Sequence, residues 1–383
     1  MNYKIETFTE PLEIRERLTE KGEEMGEHQV SVLCGLIKEY RPQKIVEVGV
    51  AAGGTTAVIL NCISLLGLDT EVYSVDISER YYRDKSKETG YLAEESIECL
   101  KKCVKYKIFR GGVLPEYLDL IGDNIDFLIL DTAHHLPGEM LDFLACLPKM
   151  KEGAIVVLHD IILNHMSRSG DTQAFATKVL LCSVTGEKLQ YGGEDNIYNY
   201  PGMGIFRVTS DTRKYIADVF SALTITWNYM PDLAQLKLYR NFLRTYYNDI
   251  LLDEFDVAVK MNKSTLERKK NTNKIELYNV QKLLYQLRDK NNIYIYGCGA
   301  YGIKLYDLLE SCGIRLKGYV ISDGQRKKCI DKKIEYLSDI DKDDCTLVLG
   351  MSDAYQKEVC DNIRFARWIG VDKNILNYLR DHL

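Results

Sequence analysis

The chain has 383 residues, 46% hydrophobic and 28% charged, with a formal net charge of -6. That length exceeds one average domain, so two units with their own cores are expected, and the composition is that of a globular protein. The acidic balance speaks against a duplex-DNA binder with its basic stripe, so nucleic acid is not an expected partner.

The opening stretch, MNYKIETFTEPLEIRERL, is charged throughout and lacks the apolar core of a signal peptide. No run approaches the ~18 uninterrupted apolar residues of a spanning helix. The longest apolar stretch, Ala57 to Leu68, is broken by Asn61 and Ser64. A cytoplasmic protein without a membrane span is the expectation. The eleven cysteines are scattered with no CxxC pair, and Cys99 with Cys103 lacks a second pair for zinc, so reduced, mostly buried thiols are expected.

In chain order, residues 9 to 40 carry apolar positions at helical spacing and should cover one edge or the mouth of a site. The stretch KIVEVGVAAGGTT, Lys44 to Thr56, follows. Its apolar residues around Glu47 suit a buried parallel strand, and Gly49, Gly53 and Gly54 let the backbone approach a ligand. Thr55 to Leu66 reads as the next helix, and Glu71 to Val75 as a second strand closed by Asp76. Glu79 to Lys101 has helical character, and Lys107 to Phe109 is a third strand. Asp126 to Leu130 ends at Asp131, a helix runs from about Gly138 to Leu147, and Ala154 to Leu158 ends at His159-Asp160. The alternation predicts an α/β fold with a doubly wound, mostly parallel sheet. Asp171 to Gly202 loosens into polar, glycine-rich sequence that suits a mobile loop near a substrate, and Gly204 to Val208 returns as a strand.

Pro231 to Leu287 is helical and rich in Tyr, Lys and Arg; its run LERKKNTNK, 266 to 274, reads as a solvated linker. At Asn291 the α/β rhythm restarts with IYIYGCGAYG. Gly297, Gly299 and Gly302 form GxGxxG between a strand and the helix Ile303 to Ser311. Lys317 to Ile321 is the next strand, followed by Asp323, and Thr346 to Leu349 a third. This is the context that gives the motif weight, although the unit is only half a dinucleotide fold. A mononucleotide, a nucleotide-sugar, NAD or no ligand at all are all compatible with it. The resulting domains are 1–230, a helical linker or interface region 231–290, and a smaller Rossmann-like unit 291–383. The aromatic helical segment could bury a homo-oligomer interface.

In the first unit, a carboxylate at Asp76 can accept both ribose hydroxyls of a nucleoside. The glycine spacing is not GxGxxG and no lysine stands where a P-loop holds phosphates, so S-adenosylmethionine (SAM) fits better than a dinucleotide. The order EVGVAAGGTT, VYSVDIS, IDFLILDTAHHLPGEMLDF and GAIVVLHDI resembles the class I SAM-dependent methyltransferases over roughly residues 30 to 230. Within them it is similar to the macrocin-type sugar O-methyltransferases and the cephalosporin-hydroxylase-like proteins, whose aspartate, histidine, aspartate motif falls on Asp131, His134 and Asp142. The resemblance implies that Glu47, Gly49 and Gly53 line the SAM pocket, with Asp131 at its edge, and that Asp76 holds the ribose. Gly112 departs from relatives that carry an acidic residue near the adenine.

Methyl transfer to a hydroxyl needs that hydroxyl oriented and partly deprotonated. A divalent cation lowers a bound hydroxyl's pKa, and an imidazole can take the proton. Asp131 and Asp160 close two strand ends and are the expected metal ligands, with His159 as a third and His134 as general base. Oxygen ligands favour Mg²⁺, whereas a histidine ligand leans toward Mn²⁺. Each residue also has a plain structural reading: Asp131 as a turn cap, His159 and Asp142 as hydrogen-bonded structural groups, His165 on the surface, Trp227 and Tyr229 in the core. The second unit resembles the small Rossmann-like domains attached to polysaccharide-biosynthesis enzymes. That likeness implies a carbohydrate context and a small-molecule or glycan substrate. The alternative function is a nicotinamide- or nucleotide-sugar-binding enzyme or sensor working through Gly297 to Asp323.

Overall fold

The computed structural model describes residues 5–18, 25–166, 172–189, 202–325, 331–341, 343–362, 367–372, 374–376 and 379. Contacts divide the chain into two compact units, Met1–Leu266 and Glu267–Leu383. The division falls inside the helical stretch 231–290, within a 39-residue helix, Asp249–Leu287.

The first unit is built on seven strands: β1 (Lys44–Val48), β2 (Glu71–Asp76), β3 (Lys105–Arg110), β4 (Ile125–Leu130), β5 (Met150–Leu158), β6 (Glu187–Leu189) and β7 (Gly204–Arg207). Their order is β3-β2-β1-β4-β5-β7-β6, with β7 antiparallel to β5 and to β6 and the rest parallel. The expected doubly wound, mostly parallel sheet is therefore present. Its central strands β4 and β5 carry uninterrupted apolar runs, Phe127 to Leu130 and Ala154 to Leu158, because both faces are covered. Along β4, Leu128 and Leu130 enter one core while Phe127 and Ile129 enter the other; along β5, Val156 and Leu158 oppose Ile155 and Val157 in the same way. This period-two alternation feeds two cores from one strand. Truncating Phe127, which is wholly buried, would cost about 3–5 kcal/mol.

One core is closed by the helices Glu27–Tyr40 and Gly54–Leu66, the other by Gly138–Cys146, Ala176–Ser183 and Leu233–Tyr246. β1 and β4 are neighbours, yet the chain winds outward from them in opposite directions. The crevice at their carboxyl ends is the switch point of the sheet, the position where such folds bind ligands.

Several sequence expectations need correction. Only Tyr91–Ile97 is helical between Glu79 and Lys101; the preceding segment folds back on itself through an Arg80–Glu88 bridge. The stretch expected to be a loose loop contains the helix Ala176–Ser183 and strand β6, while 171 and 190–201 lie outside the described residues. Residues 266 to 274, read as a solvated linker within a helical stretch, continue the helix Asp249–Leu287, and the boundary between the two units falls at their start; their Lys, Arg and Glu residues have high helix propensity. Of ten free cysteines among the described residues, only Cys34, Cys62, Cys146, Cys298 and Cys345 are buried. No helix among the described residues is long and apolar enough to cross a membrane.

The second unit is a five-stranded parallel sheet of β8 (Ile293–Tyr296), β9 (Leu316–Ile321), β10 (Ile334–Tyr336), β11 (Thr346–Leu349) and β12 (Trp368–Ile369), in the order β10-β9-β8-β11-β12. β10 and β12, short and flanked by polar sequence, were not anticipated. The helix Ala300–Ser311 packs against β8 and β9 directly after the glycine turn.

Candidate active site

A cavity of about 740 Å³ opens at the carboxyl ends of β1, β2, β4 and β5, within the usual size range of a small-molecule site. Glu47, Gly49, Asp76, Asp131, His134, His159, Asp160 and Asp142 all line it. The structure thus gathers around one cavity almost every candidate proposed for the first unit.

The glycine bend forms the cofactor side. Gly49 has φ +93°, and a Cβ there would sit 1.9 Å from the Asp131 carbonyl oxygen. Gly53 has φ +88°, and a Cβ there would meet Gly90 Cα at 2.9 Å. The room these glycines leave is filled by the protein's own backbone, so close packing of strand ends dictates them directly and a ligand only indirectly. Asp76 explains the shape of the bend: its Oδ2 accepts from the backbone N–H groups of Val50 (2.9 Å) and Ala51 (3.2 Å), and its Oδ1 accepts from Ser78 N–H (2.8 Å). Oδ2 is taken up by its two donors, and Oδ1 retains acceptor capacity toward a ligand's hydroxyls. Ile77, next to it, also lines the cavity although 58% of its surface is exposed, which leaves an apolar platform uncovered.

Glu47 is buried, and its Oε2 accepts from Thr56 Oγ1 and Ser74 Oγ, both at 2.7 Å. Burial pushes its pKa up to about 7 despite those two hydrogen bonds. At Gly112 a Cβ would lie 2.5 Å from Tyr117 Oη and 2.8 Å from Glu116 Oε1. A side chain there would have to displace the ends of these two neighbours, one of which is itself acidic.

On the opposite side, carboxylates and imidazoles alternate. His159 Nδ1 lies 2.7 Å from Asp131 Oδ1, and its Nε2 lies 3.3 Å from Gln29 Oε1 and 3.4 Å from Asp160 Oδ1. His134 Nε2 lies 3.6 Å from both Asp131 Oδ1 and Asp160 Oδ2. Ligand atoms of Asp131, His134 and His159 all fall within 4.8 Å of one another, so His134, assigned as a base from sequence, also joins the potential donor set. Burial acts to lower the His134 pKa, but Glu139, Asp131 and Asp160 outweigh it and leave it raised. Burial likewise raises Asp160, opposed by the two imidazoles. His134 and Asp160 both adopt left-handed backbone, φ +57° and +53°. Such conformations cost of order 1–3 kcal/mol in non-glycine residues and cluster at functional sites.

Residues 46–161 match the family described as a methyltransferase domain. No curated protein matches the chain. Among solved structures, cofactor-bound Rv0187 from MTB is similar at 15% identity, covering 52% of this chain and 87% of that one with a TM-score of 0.39. An O-methyltransferase from Bacillus cereus in complex with SAH is similar at 16% identity, covering 52% and 89%, TM-score 0.37. TomG from Streptomyces achromogenes, in complex with SAM, stands at 14%, 54% and 92%, TM-score 0.37. At these scores no residue role or substrate follows from them.

The cavity and its surroundings also hold Glu139, Tyr239 and Gln235, which sequence patterns did not single out. Glu139 is fully buried; its Oε1 accepts from Thr132 Oγ1 (2.6 Å) and the His134 backbone N–H (2.9 Å). Tyr239 donates its hydroxyl to Asp142 Oδ1 at 2.6 Å, and burial raises the Asp142 pKa to about 7. Gln235 and Tyr229 line the same side of the cavity. Tyr229 is 44% exposed, unlike Trp227, which is core as expected. His165 lies on the surface, also as expected.

In the second unit, Gly297 has φ +97° and Gly302 is pressed against the Gly297 carbonyl oxygen, 2.0 Å from its would-be Cβ. Gly299 faces open space. Asp323 accepts at Oδ1 from Ser338 Oγ (2.7 Å) and Ser338 N–H (3.2 Å).

Proposed function

We propose that the methyltransferase domain moves a methyl group from SAM to a hydroxyl of a sugar or glycoconjugate, with a divalent cation held by Asp131, Asp160 and His159. The observation that supports this best is the joining, in one cavity, of a nucleoside-compatible end around Asp76 and Ile77 to a cluster of two carboxylates and two imidazoles. The donor set is compatible with a cation: ligand atoms of Asp131, His134 and His159 lie within 4.8 Å of one another, and Asp160 approaches both imidazoles. Oxygen donors lean toward Mg²⁺, and the imidazoles toward Mn²⁺. A bound cation supplies charge that lowers the pKa of the acceptor hydroxyl and fixes its position.

The chain's own residues do the rest. Asp76 accepts from the ribose hydroxyls while keeping the bend in place, and Ile77 packs against the base. His134 Nε2 takes the acceptor's proton as its oxygen bonds to the methyl carbon. The carbon–sulfur bond breaks, and its electron pair stays on sulfur as a neutral thioether. Asp142, Tyr239, Gln235 and Tyr229 present polar groups and an aromatic face to a hydroxyl-rich acceptor.

The test is the full chain with methyl-labelled SAM and a panel of nucleotide-sugars, run with Mg²⁺, Mn²⁺ or a chelator, beside calorimetry with SAM and NAD. Label transfer that needs the metal is expected. NAD binding without SAM binding would move the activity to the second unit.

A further inference from the structure

We infer that Glu139 is the positioning residue of the site: it fixes Nδ1 of His134 as the proton-bearing nitrogen, so that Nε2 meets the acceptor hydroxyl with a free lone pair. This rests on the methyl-transfer reading, which gives His134 its role as base.

Glu139 begins the helix Gly138–Cys146 and has no exposed surface. A buried carboxylate is costly unless its partners compensate. Its Oε1 has two, the Thr132 hydroxyl and the His134 backbone N–H, and these brace the left-handed turn at His134. His134 Nδ1 approaches the same oxygen at 3.1 Å. That contact is off the line of a good hydrogen bond, yet Nδ1 is buried and has no other partner among the described residues. Oε2 of Glu139 is buried and unpartnered as well. A proton on Nδ1 therefore faces a carboxylate, whereas a bare Nδ1 would set a lone pair against negative charge. Nε2 points the other way, toward Asp131 and Asp160, but at 3.6 Å both lie beyond hydrogen-bond reach, whereas Nδ1 is 3.1 Å from Glu139, so the closer carboxylate decides. One side chain thus sets both the backbone and the tautomer of the base, the arrangement by which a buried acid orients a catalytic imidazole.

Glu139→Gln separates tautomer control from mere bracing. The amide oxygen can still accept from Thr132 and from the His134 N–H, so the turn is kept, but the negative charge that holds a proton on Nδ1 is gone. The experiment uses the full chain labelled with ¹⁵N-histidine, treated with chelator and held above the ring's titration, with His134 identified by its loss in His134→Gln. Long-range ¹⁵N–¹H spectra should show the Nδ1–H tautomer in the wild type and in Glu139→Asp, and a population shifted toward Nε2–H in Glu139→Gln. Turnover of Glu139→Gln should fall on the order of a hundredfold, with SAM affinity unchanged by calorimetry. An Nε2–H tautomer in the wild type, or one tautomer in wild type and Glu139→Gln alike, would overturn the inference. Failure of the wild type to bind SAM would instead sink the methyl-transfer reading and leave the tautomer result standing.

Discussion

The glycine turns after β1 and β8 have the same backbone design and different contents. In the first, Gly49 N–H donates to the Val75 carbonyl and Asp131 N–H to the Val48 carbonyl; in the second, Gly297 N–H donates to Val320 and Gly350 N–H to Tyr296. Superposing these bonds places Ile321 where the first unit has Asp76, and Gly350 where it has Asp131. The acidic residue of the second unit, Asp323, comes two positions later and is engaged by Ser338. A glycine turn thus marks a strand end that can accept a ligand. The residues closing the neighbouring strands decide whether chemistry is present.

That contrast can be broken experimentally. The largest effect is expected for Asp131→Ala: labelled methyl transfer should drop on the order of a thousandfold, with SAM affinity by calorimetry within a few-fold of wild type; undiminished transfer would sink the metal proposal. Next, Gly49→Ala must push a Cβ into the Asp131 carbonyl at positive φ and should cost about 3 kcal/mol or more in denaturant unfolding.

Glu47 comes third. Its folded pKa, about 7, lies above its ordinary value of 4.5, so the folded state binds the proton more tightly. The stability it contributes is complete below about pH 4.5 and is lost as pH rises through about 7, a change on the order of 3 kcal/mol. Asp142, also raised to about 7, acts with the same sign. Glu47→Gln should roughly halve the decline in denaturation midpoint between acidic and mildly alkaline buffer, and an unaltered decline would contradict a buried, protonatable Glu47.

Asp76→Asn keeps an acceptor for the bend but loses charge and one acceptor oxygen, so SAM binding should weaken about tenfold. The smallest effect belongs to the second unit. Gly299 has nothing within 4 Å of its would-be Cβ and an ordinary φ of -80°, and Gly299→Ala should stay within about 0.5 kcal/mol of wild type.

What was legible before the structure follows the same line. β1, β2, β4 and β5 were readable because they are buried on both faces, and an apolar run closed by Asp76, Asp131 or His159-Asp160 is conspicuous. β6, β10 and β12 were not, since two to four residues at a sheet edge or in a short connection carry no periodicity. Within the site, residues at strand ends were found, whereas Glu139 and Tyr239, reaching in from helices, were missed. Glu139 meets the His134 N–H only because the chain turns left-handed between them, and Tyr239 reaches Asp142 across 97 positions. No spacing rule anticipates either contact. The cavity-facing glycines were found for an incomplete reason: they admit the protein's own backbone before they admit any ligand.

The left-handed backbone at His134 and Asp160 carries a consequence of its own. Glycine at Asp160 would relax the peptide and remove a buried acid in one step, so Asp160→Gly should melt higher than the wild type while losing transfer. The domain then holds its reactive residues against its own thermostability. A screen for hardier variants of this enzyme, if blind to activity, would erode the site from these two positions first.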